Sequence, residues 1–428
     1  MADAGDSKSP GPKGREGSTP SSGTTRSGTL LSSRPGVRDL ICIPRSDAPR
    51  VSIVVPSAAD QQLLFACLRS LERHLPASIP TETIVVLDGA PGSAAALVEA
   101  AAPGARIVAS SVRLGLARSG NRGRRAARGD LLALLHDDST IDAGWLEALV
   151  AAADAHPEAG AFGGLVLFPD GTPQTAGVVL FRDGAAVSPW AGAPPPADTF
   201  DRARAADFCG SSALLVRAAA WDAAGGLDKR FFPAYFVDAD FALSLREAGW
   251  SVRFEPGARS RHRGGSSSRR DFQEWVSGRN RGAFVAKWAR ALQDHEPWDG
   301  RSPQSIARAL ARSAERAAHL AAGPRRSVSR PAREDEPVPE DERQALEQDL
   351  ALHREWAKVL ASRLDVVRSD VAAARAETLA ARNHAILERG AFEGLLWWRL
   401  YVRLLPVLGP LRALARRLSR PGSSSRTG

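Results

Sequence analysis

Three short stretches hold residues whose types and spacing could do chemistry. His136-Asp137-Asp138 places two adjacent carboxylates directly after the apolar run 131–135. Carboxylates this close repel one another unless a cation or a donor sits beside them. A hard divalent ion held by one or two carboxylates plus substrate phosphates is the usual resolution. A plainer role is equally open, since Asp138 or Asp142 could cap a helix holding Trp145 and Leu149. Asp238-Ala239-Asp240 opens a helical pattern behind Phe231-Phe232-Pro233-Ala234-Tyr235-Phe236. An aromatic surround can raise a carboxyl toward general-base strength, although acids also simply complement a helix dipole there. His262, after Arg259-Ser260-Arg261 and before Arg263-Gly264-Gly265, could ligate a metal or touch phosphate, or do neither.

These residues need a frame. Val51-Ser52-Ile53-Val54-Val55 is a β-branched run stopped by Pro56, followed by a helical face of Leu63, Leu64, Cys67, Leu68 and Leu71. Residues 83–87, 106–109 and 131–135 repeat the pattern, with Ala-rich helices between them, one over about 117–127. Fully apolar strands alternating with helices predict a mostly parallel sheet covered on both faces. Ligands of such sheets bind beyond the carboxyl ends of the strands. Those ends carry Pro56-Ser57, Asp88-Gly89 and His136-Asp137-Asp138. Beyond 160 the pattern predicts strands over 163–168, 178–181 and 212–216, a loop at 191–196, and a helix over 238–248 ended by Gly249.

The charge balance narrows the function. The chain of 428 residues carries 57 Lys+Arg against 48 Asp+Glu, net +9, but residues 51–390 hold 42 of each sign. The excess lies in the tails, which argues against a globular domain with a nucleic-acid-binding face. Three scattered cysteines, Cys42, Cys67 and Cys209, give neither a disulfide framework nor a zinc spacing and point to a reducing compartment. The Arg- and Ala-rich composition suggests a bacterial coding sequence. Neither a signal peptide nor an apolar membrane span is expected.

Composition also predicts the attachments. Residues 1–48 read as a disordered tail, 294–339 as a linker with some helix around 304–322, and 421–428 as a disordered end. Over 340–389, Leu346, Leu350, His353, Ala357, Leu360, Leu364, Val367, Val371 and Ala374 fall at alternating spacings of four and three. That seam fits a coiled-coil homodimer or a helix lying on its own domain. Residues 390–420 mix Trp397, Trp398 and leucines with Arg399, Arg403, Arg412, Arg416 and Arg417, a basic amphipathic segment. It suits an anionic membrane surface or, alternatively, docking on the main domain.

The order of these pieces over about 50–290 resembles the family 2 glycosyltransferases. Val51 to Pro56 and Thr83 to Ala90 are similar to the family's nucleotide-binding strands. The stretch from Arg113 to Asp130, with Asn121-Arg122-Gly123, resembles its Asn-x-Gly…Arg-Asn-x-Gly region. His136-Asp137-Asp138 stands where the family has Asp-x-Asp. Gly225-Gly226-Leu227-Asp228, the helix from Asp238 to Trp250, and Arg279-Asn280-Arg281 resemble later elements. Departures are Ala58 and Ala59 after the first strand, Leu87 for an acid, His136 for the first Asp, and Val237 for a Glu.

The resemblance implies a GT-A fold over 49–293 and inverting transfer from a nucleotide-sugar donor to a hydroxyl of a glycan or lipid-linked acceptor. It implies a divalent metal, Mg or Mn, held by Asp138 with His262, and donor binding by Pro56, Asp88, Arg118, Asn121 and Asp137. Asp238 would be the catalytic base, with Asp240 as the alternative. The expected setting is cell-surface polysaccharide synthesis, in the cytoplasm or peripherally at the inner face of the membrane. The competing expectation is an inactive relative serving as a scaffold. A nucleotidyltransferase would need a Gly-rich basic loop after the first strand, where Pro56-Ser57-Ala58-Ala59-Asp60 stands instead.

Overall fold

The computed structural model describes residues 40–58, 60–189, 191, 202–264, 269–300, 302–323 and 338–418. The expected tail over 1–39, most of the loop at 191–196, the linker core at 324–337 and the end at 421–428 lie outside the described residues. The chain falls into two units, Met1–Leu40 and Ile41–Gly428, and every element belongs to the second.

That unit opens with alternating strands and helices: β1 (Val51–Ser57), α1 (Gln61–His74), β2 (Thr81–Asp88), α2 (Gly92–Ala101), β3 (Ala105–Ser110), α3 (Gly115–Ala126) and β4 (Leu131–Leu135). Next come β5 (Ser139–Ile141), α4 (Trp145–Ala155), β6 (Ala159–Leu167), β7 (Pro173–Thr175), β8 (Val179–Leu180), β9 (Ala186–Val187) and β10 (Arg204–Ala206). The remainder is β11 (Ala213–Arg217), α5 (Ala218–Ala224), α6 (Val237–Glu247), β12 (Ser251–His262), α7 (Arg270–Trp288), α8 (Pro303–Ala322) and α9 (Val338–Leu418).

The main sheet runs β10-β12-β6-β11-β4-β1-β2-β3. Strands β3, β2, β1 and β4 are mutually parallel, as continuous burial on both faces requires. β11 is antiparallel to its neighbours β4 and β6. Alternate side chains enter two cores. Val54, Ile84 and Val86 pack with α3, α5 and α6, while Ile53, Val55, Val85 and Leu87 pack with α1, α2 and α4 on the other face. This is the mostly parallel sheet with helices on both sides that the resemblance implies.

Several expected boundaries shift. Residues 41–48 join the body instead of the tail, because Ile41 and Ile43 are buried and the Ile41 peptide N–H donates to Ala101 O. Residues 294–323 are not a linker. α8 packs Ala309 on Val179, Phe181 and Val187, and Arg316 reaches the fully buried Asp207 at 2.7 Å. β12 was not legible as a strand, since Pro256, Gly257 and three arginines interrupt its alternation. It nevertheless pairs with β6 across a register shift between Glu255 and Arg259.

The long helix α9 docks by its first five turns, on a face other than the expected seam. Asp341, Ala345, Gln348 and Leu352 point inward; Asp341, Ala345 and Leu352 are buried, and Gln348 accepts from Arg118. Leu346 and Leu350 of the seam are more than half exposed. Trp356 packs on Trp275, ring centroids 5.2 Å apart. Beyond it the seam residues Leu360, Leu364, Val367 and Val371 are exposed, as are Trp397 and Trp398. Helix α9 continues through Pro406 and Pro410, where side chains lie outside those described. No described helix is long and apolar enough to cross a membrane.

Candidate active site

The site is assembled at the carboxyl end of β4. β11 lies antiparallel beside it, Ala213 opposite Leu135, and the His136 peptide N–H donates to Ser212 O at 3.1 Å. The short strand β5 pairs with the end of β12 and sets His262 opposite Ser139. Two strands distant in sequence thereby deliver His262 to Asp138. Its Nε2 lies 3.1 Å from Asp138 Oδ1, and one ligand-capable atom from each of His136, Asp138 and His262 lies within 4.8 Å of the others.

Hydrogen bonds fix the donor sets of these side chains. Gln174 on β7 donates through Nε2 to His262 O at 3.3 Å, so its Oε1, 2.7 Å from His262 Nδ1, accepts from that nitrogen. The proton on Nδ1 leaves Nε2 of neutral His262 with a lone pair facing the carboxylate. Two acceptors 3.1 Å apart repel, and a cation or a proton between them removes the conflict. Asp138 Oδ2 accepts from the Gly264 peptide N–H at 3.2 Å. The residues therefore fit a divalent ion.

Asp238 stands at the first turn of α6. Ser211 faces it with both peptide and hydroxyl, and its Oδ1 is buried with no hydrogen-bond partner among the described residues. The same hydroxyl lies 3.1 Å from His136 Nε2. Burial raises the Asp238 carboxyl above its ordinary value, against the opposing pull of Ser211. Burial, with His262 adding to it, pushes His136 down to about 4, so its imidazole is neutral near pH 7. Asp137 turns to the end of β1. Burial pushes it up to about 6, against the opposing pull of the nearby Ser57 hydroxyl and Ala58 peptide.

The loop before α6 is braced from α7. Tyr235 and Phe236 have φ of 67° and 62°, a left-handed conformation that disfavours bulky side chains and persists only where the surroundings enforce it. Asn280, fully buried on α7, does so. Its Nδ2 reaches the carbonyls of Phe231, Ala234 and Tyr235 at 3.2, 2.7 and 3.3 Å.

Other expected site residues are engaged by the protein itself. Asp88 accepts from the peptides of Leu114 and Gly115 and so holds the loop entering α3; burial raises its carboxyl despite these bonds. Arg118 donates to Asp341 at 2.9 Å and to Gln348 at 2.7 Å. Asn121 exchanges two bonds of 2.9 Å with the Leu227 peptide. Gly226 beside it has φ +70°, and a Cβ there would stand 2.5 Å from Asn121 Oδ1. Asp240 is bound by Lys287 at 2.5 Å and Trp288 Nε1 at 2.7 Å. Pro56 lies within β1, its side chain half-buried.

Sequence reasoning did not reach Ser211 and Gln174. The only signal for Ser211 is its position directly before an apolar strand, and nothing local marks Gln174. His136 counted as a departure, yet it joins the cluster.

Residues 52–222 match the family model described as Glycosyl transferase family 2. Over 157 residues the chain is 32% identical to an O-antigen biosynthesis protein of Myxococcus xanthus, covering 35% of this chain and 12% of that one. Over 167 residues it is 28% identical to the N-acetylglucosaminyl-diphospho-decaprenol L-rhamnosyltransferase of Mycobacterium tuberculosis (strain ATCC 25618 / H37Rv), covering 36% of this chain and 54% of that one. The chain thus spans about half or less of the length of these relatives. A mannosyltransferase from Pyrobaculum calidifontis, solved with GDP-Man and Mn2+, superposes with a TM-score of 0.41 at 18% identity, over 74% of this chain and 85% of that one. The region from β1 into α5 thus matches the family 2 glycosyltransferases.

Proposed function

We propose that the chain is an inverting glycosyltransferase that moves a sugar from a nucleotide-sugar donor to a hydroxyl of a glycan or lipid-linked acceptor in cell-surface polysaccharide synthesis. The observation that carries this reading is the joining of His136, Asp138 and His262 to Asp238 through Ser211, at the carboxyl end of the central strands. Asp238 takes the proton of the acceptor hydroxyl as that oxygen attacks the anomeric carbon from the face opposite the leaving nucleoside diphosphate. A positioned base of this kind contributes roughly 10²–10⁴-fold. A divalent ion held by Asp138 and the two histidines would offset the charge growing on the departing diphosphate. Asp137, at the end of β1, borders the same space. The relatives' activities, those of an N-acetylglucosaminyl-diphospho-decaprenol L-rhamnosyltransferase and an O-antigen biosynthesis protein, support an acceptor of this class.

In the same reading, α9 brings the enzyme to its acceptor. Its exposed seam pairs with a second copy of the chain, and the segment around Trp397 rests on an anionic membrane at the inner face of the cell membrane. A thermal-shift screen of nucleotide sugars with and without divalent metal tests the core of this proposal. A stabilisation by one nucleotide sugar that requires metal is expected, and NMR of the product should show an inverted anomeric centre. No donor binding under any metal condition would favour the inactive scaffold instead.

A further inference from the structure

We infer that Leu352 of α9 is a positioning residue for Asp238, acting through Phe232 and the loop 231–236 that sets the start of α6. The inference rests on the glycosyltransferase reading for what Asp238 does, not for how it is held. Phe236 ends the loop as the N-terminal cap of α6, with φ 62° and ψ 0°, and its carbonyl accepts from the Asp240 peptide N–H at 3.0 Å. A rotation at Phe236 therefore swings the first helical turn, and Asp238 with it. Tyr235 and Phe236 are both left-handed, a conformation that bulky residues keep only where the surroundings enforce it. The enforcement comes from outside the loop.

Helices α3, α7 and α9 supply it. From α3, the Leu116 peptide N–H donates to Pro233 O at 2.9 Å, and a Cβ on Gly115 would stand 2.9 Å from Phe232 Cδ2. From α7, Asn280 holds the carbonyls of Phe231, Ala234 and Tyr235. From α9, Leu352, 1% exposed, closes a buried cluster with Phe232 and Val276. Val276 lies one turn before Asn280 on α7, so the cluster and the carbonyl bonds grip the loop from one helix face. Asn280 restrains only the backbone, whereas Leu352 and Val276 seat the Phe232 side chain. Docking of α9 has other anchors, in Asp341 on Lys229 at 2.8 Å and Trp356 on Trp275. Among the described residues of α9, Leu352 alone joins Phe232 in a buried cluster. Truncating it leaves a void beside Phe232, and the loop is then free to shift the base.

The test uses the full chain with Leu352→Ala and Leu352→Met. Glu355→Gln is the control, since it breaks the exposed bond of α9 to Arg279 without touching the loop. Amide exchange over 229–238 should quicken about tenfold in Leu352→Ala, with β1–β4 unchanged. Leu352→Met, which refills the volume, should restore protection. Turnover is read as nucleoside diphosphate released with water as acceptor, from whichever UDP-, GDP- or dTDP-linked sugar the unaltered chain hydrolyses fastest. In Leu352→Ala, kcat should fall roughly 10–100-fold with the donor KM within about twofold, and Glu355→Gln should match the unaltered chain. Unchanged exchange over 229–238 would overturn the inference. So would a kcat loss of equal size in Glu355→Gln, or one that Leu352→Met fails to restore. If Leu352→Ala does not fold, Leu352→Val, which leaves a smaller void, is read in the same way. Quickened exchange with no sugar hydrolysed by the unaltered chain leaves the brace standing and counts against the transferase reading. Hydrolysis with unchanged exchange does the reverse.

Discussion

Asp238 is set apart from Asp240 by what surrounds each. The two lie on one helix, two residues apart, and so on different faces. Asp240 takes Lys287 and Trp288 on one oxygen, and its other oxygen, like Oδ1 of Asp238, is buried with no hydrogen-bond partner among the described residues. Asp238, unlike Asp240, faces Ser211, which also bonds His136 of the cluster. Asp238→Asn is therefore expected to leave nucleotide-sugar binding by calorimetry within about twofold and to lower turnover by roughly 10²-fold or more. Undiminished turnover would remove Asp238 from the mechanism.

At the scale of elements, two buried ion clusters hold the frame. Glu82 on β2 is 1% exposed and takes hydrogen bonds from Ser52, Arg106 and Arg128. Burial alone would raise its carboxyl, but these partners prevail and hold it at about 2, below its ordinary 4.5. The stabilisation is thus complete above about pH 4.5 and is lost as pH falls through 2, amounting to about 3 kcal/mol. Glu82→Gln should lower unfolding free energy by about that much at pH 7, and denaturant titrations should show the gap closing below pH 4.5. A gap constant from pH 7 to 3 would refute this account.

The second cluster clamps α9 to α3. Asp341 meets Lys229 at 2.8 Å, Arg118 at 2.9 Å and Arg122 at 3.5 Å, and burial is overruled by these cations in keeping its carboxyl ionised. Removing one partner from such a set leaves buried charge uncompensated, typically about 3–5 kcal/mol. Asp341→Asn should therefore release the start of α9, seen as faster amide exchange over 340–356 with β1–β4 unchanged. Unaltered protection there would mean that Leu352 and Trp356 hold the helix without the ion cluster.

For the whole molecule, the contrast is between a packed body and a helix that leaves it. Docking contacts end near Trp356, while Leu395, Leu396, Trp397 and Trp398 are each at least half exposed and residues 391–428 carry net +6. A basic residue near an anionic surface is worth about 1 kcal/mol, and aromatic burial adds to it. A chain ending at residue 388 should remain folded and active on a soluble acceptor but lose sedimentation with anionic vesicles. Binding by the full chain should fall as salt rises. Vesicle binding that survives the truncation would move the contact to another surface.

The sequence by itself determined the alternation of strands and helices up to β4, because apolar runs buried on both faces are a local signal. It also marked Asp138, Asp238 and His262 as the residues to watch, since ionisable groups at strand and helix ends are costly to place without use. Only the tertiary structure decided which of these meet. β12 was obscured by Pro256 and its arginines, and its pairing with β5 is a contact between residues about 120 apart, so no local pattern could place His262 beside Asp138. The same long-range packing gave the donor candidates Asp88, Arg118 and Asn121 bonds within the protein that brace the loops around α3. It also brought His136 into the cluster, within hydrogen-bond distance of a serine 75 residues away. Burial and pairing across the sheet are properties of the assembled chain, and they assign roles that residue type and spacing leave open.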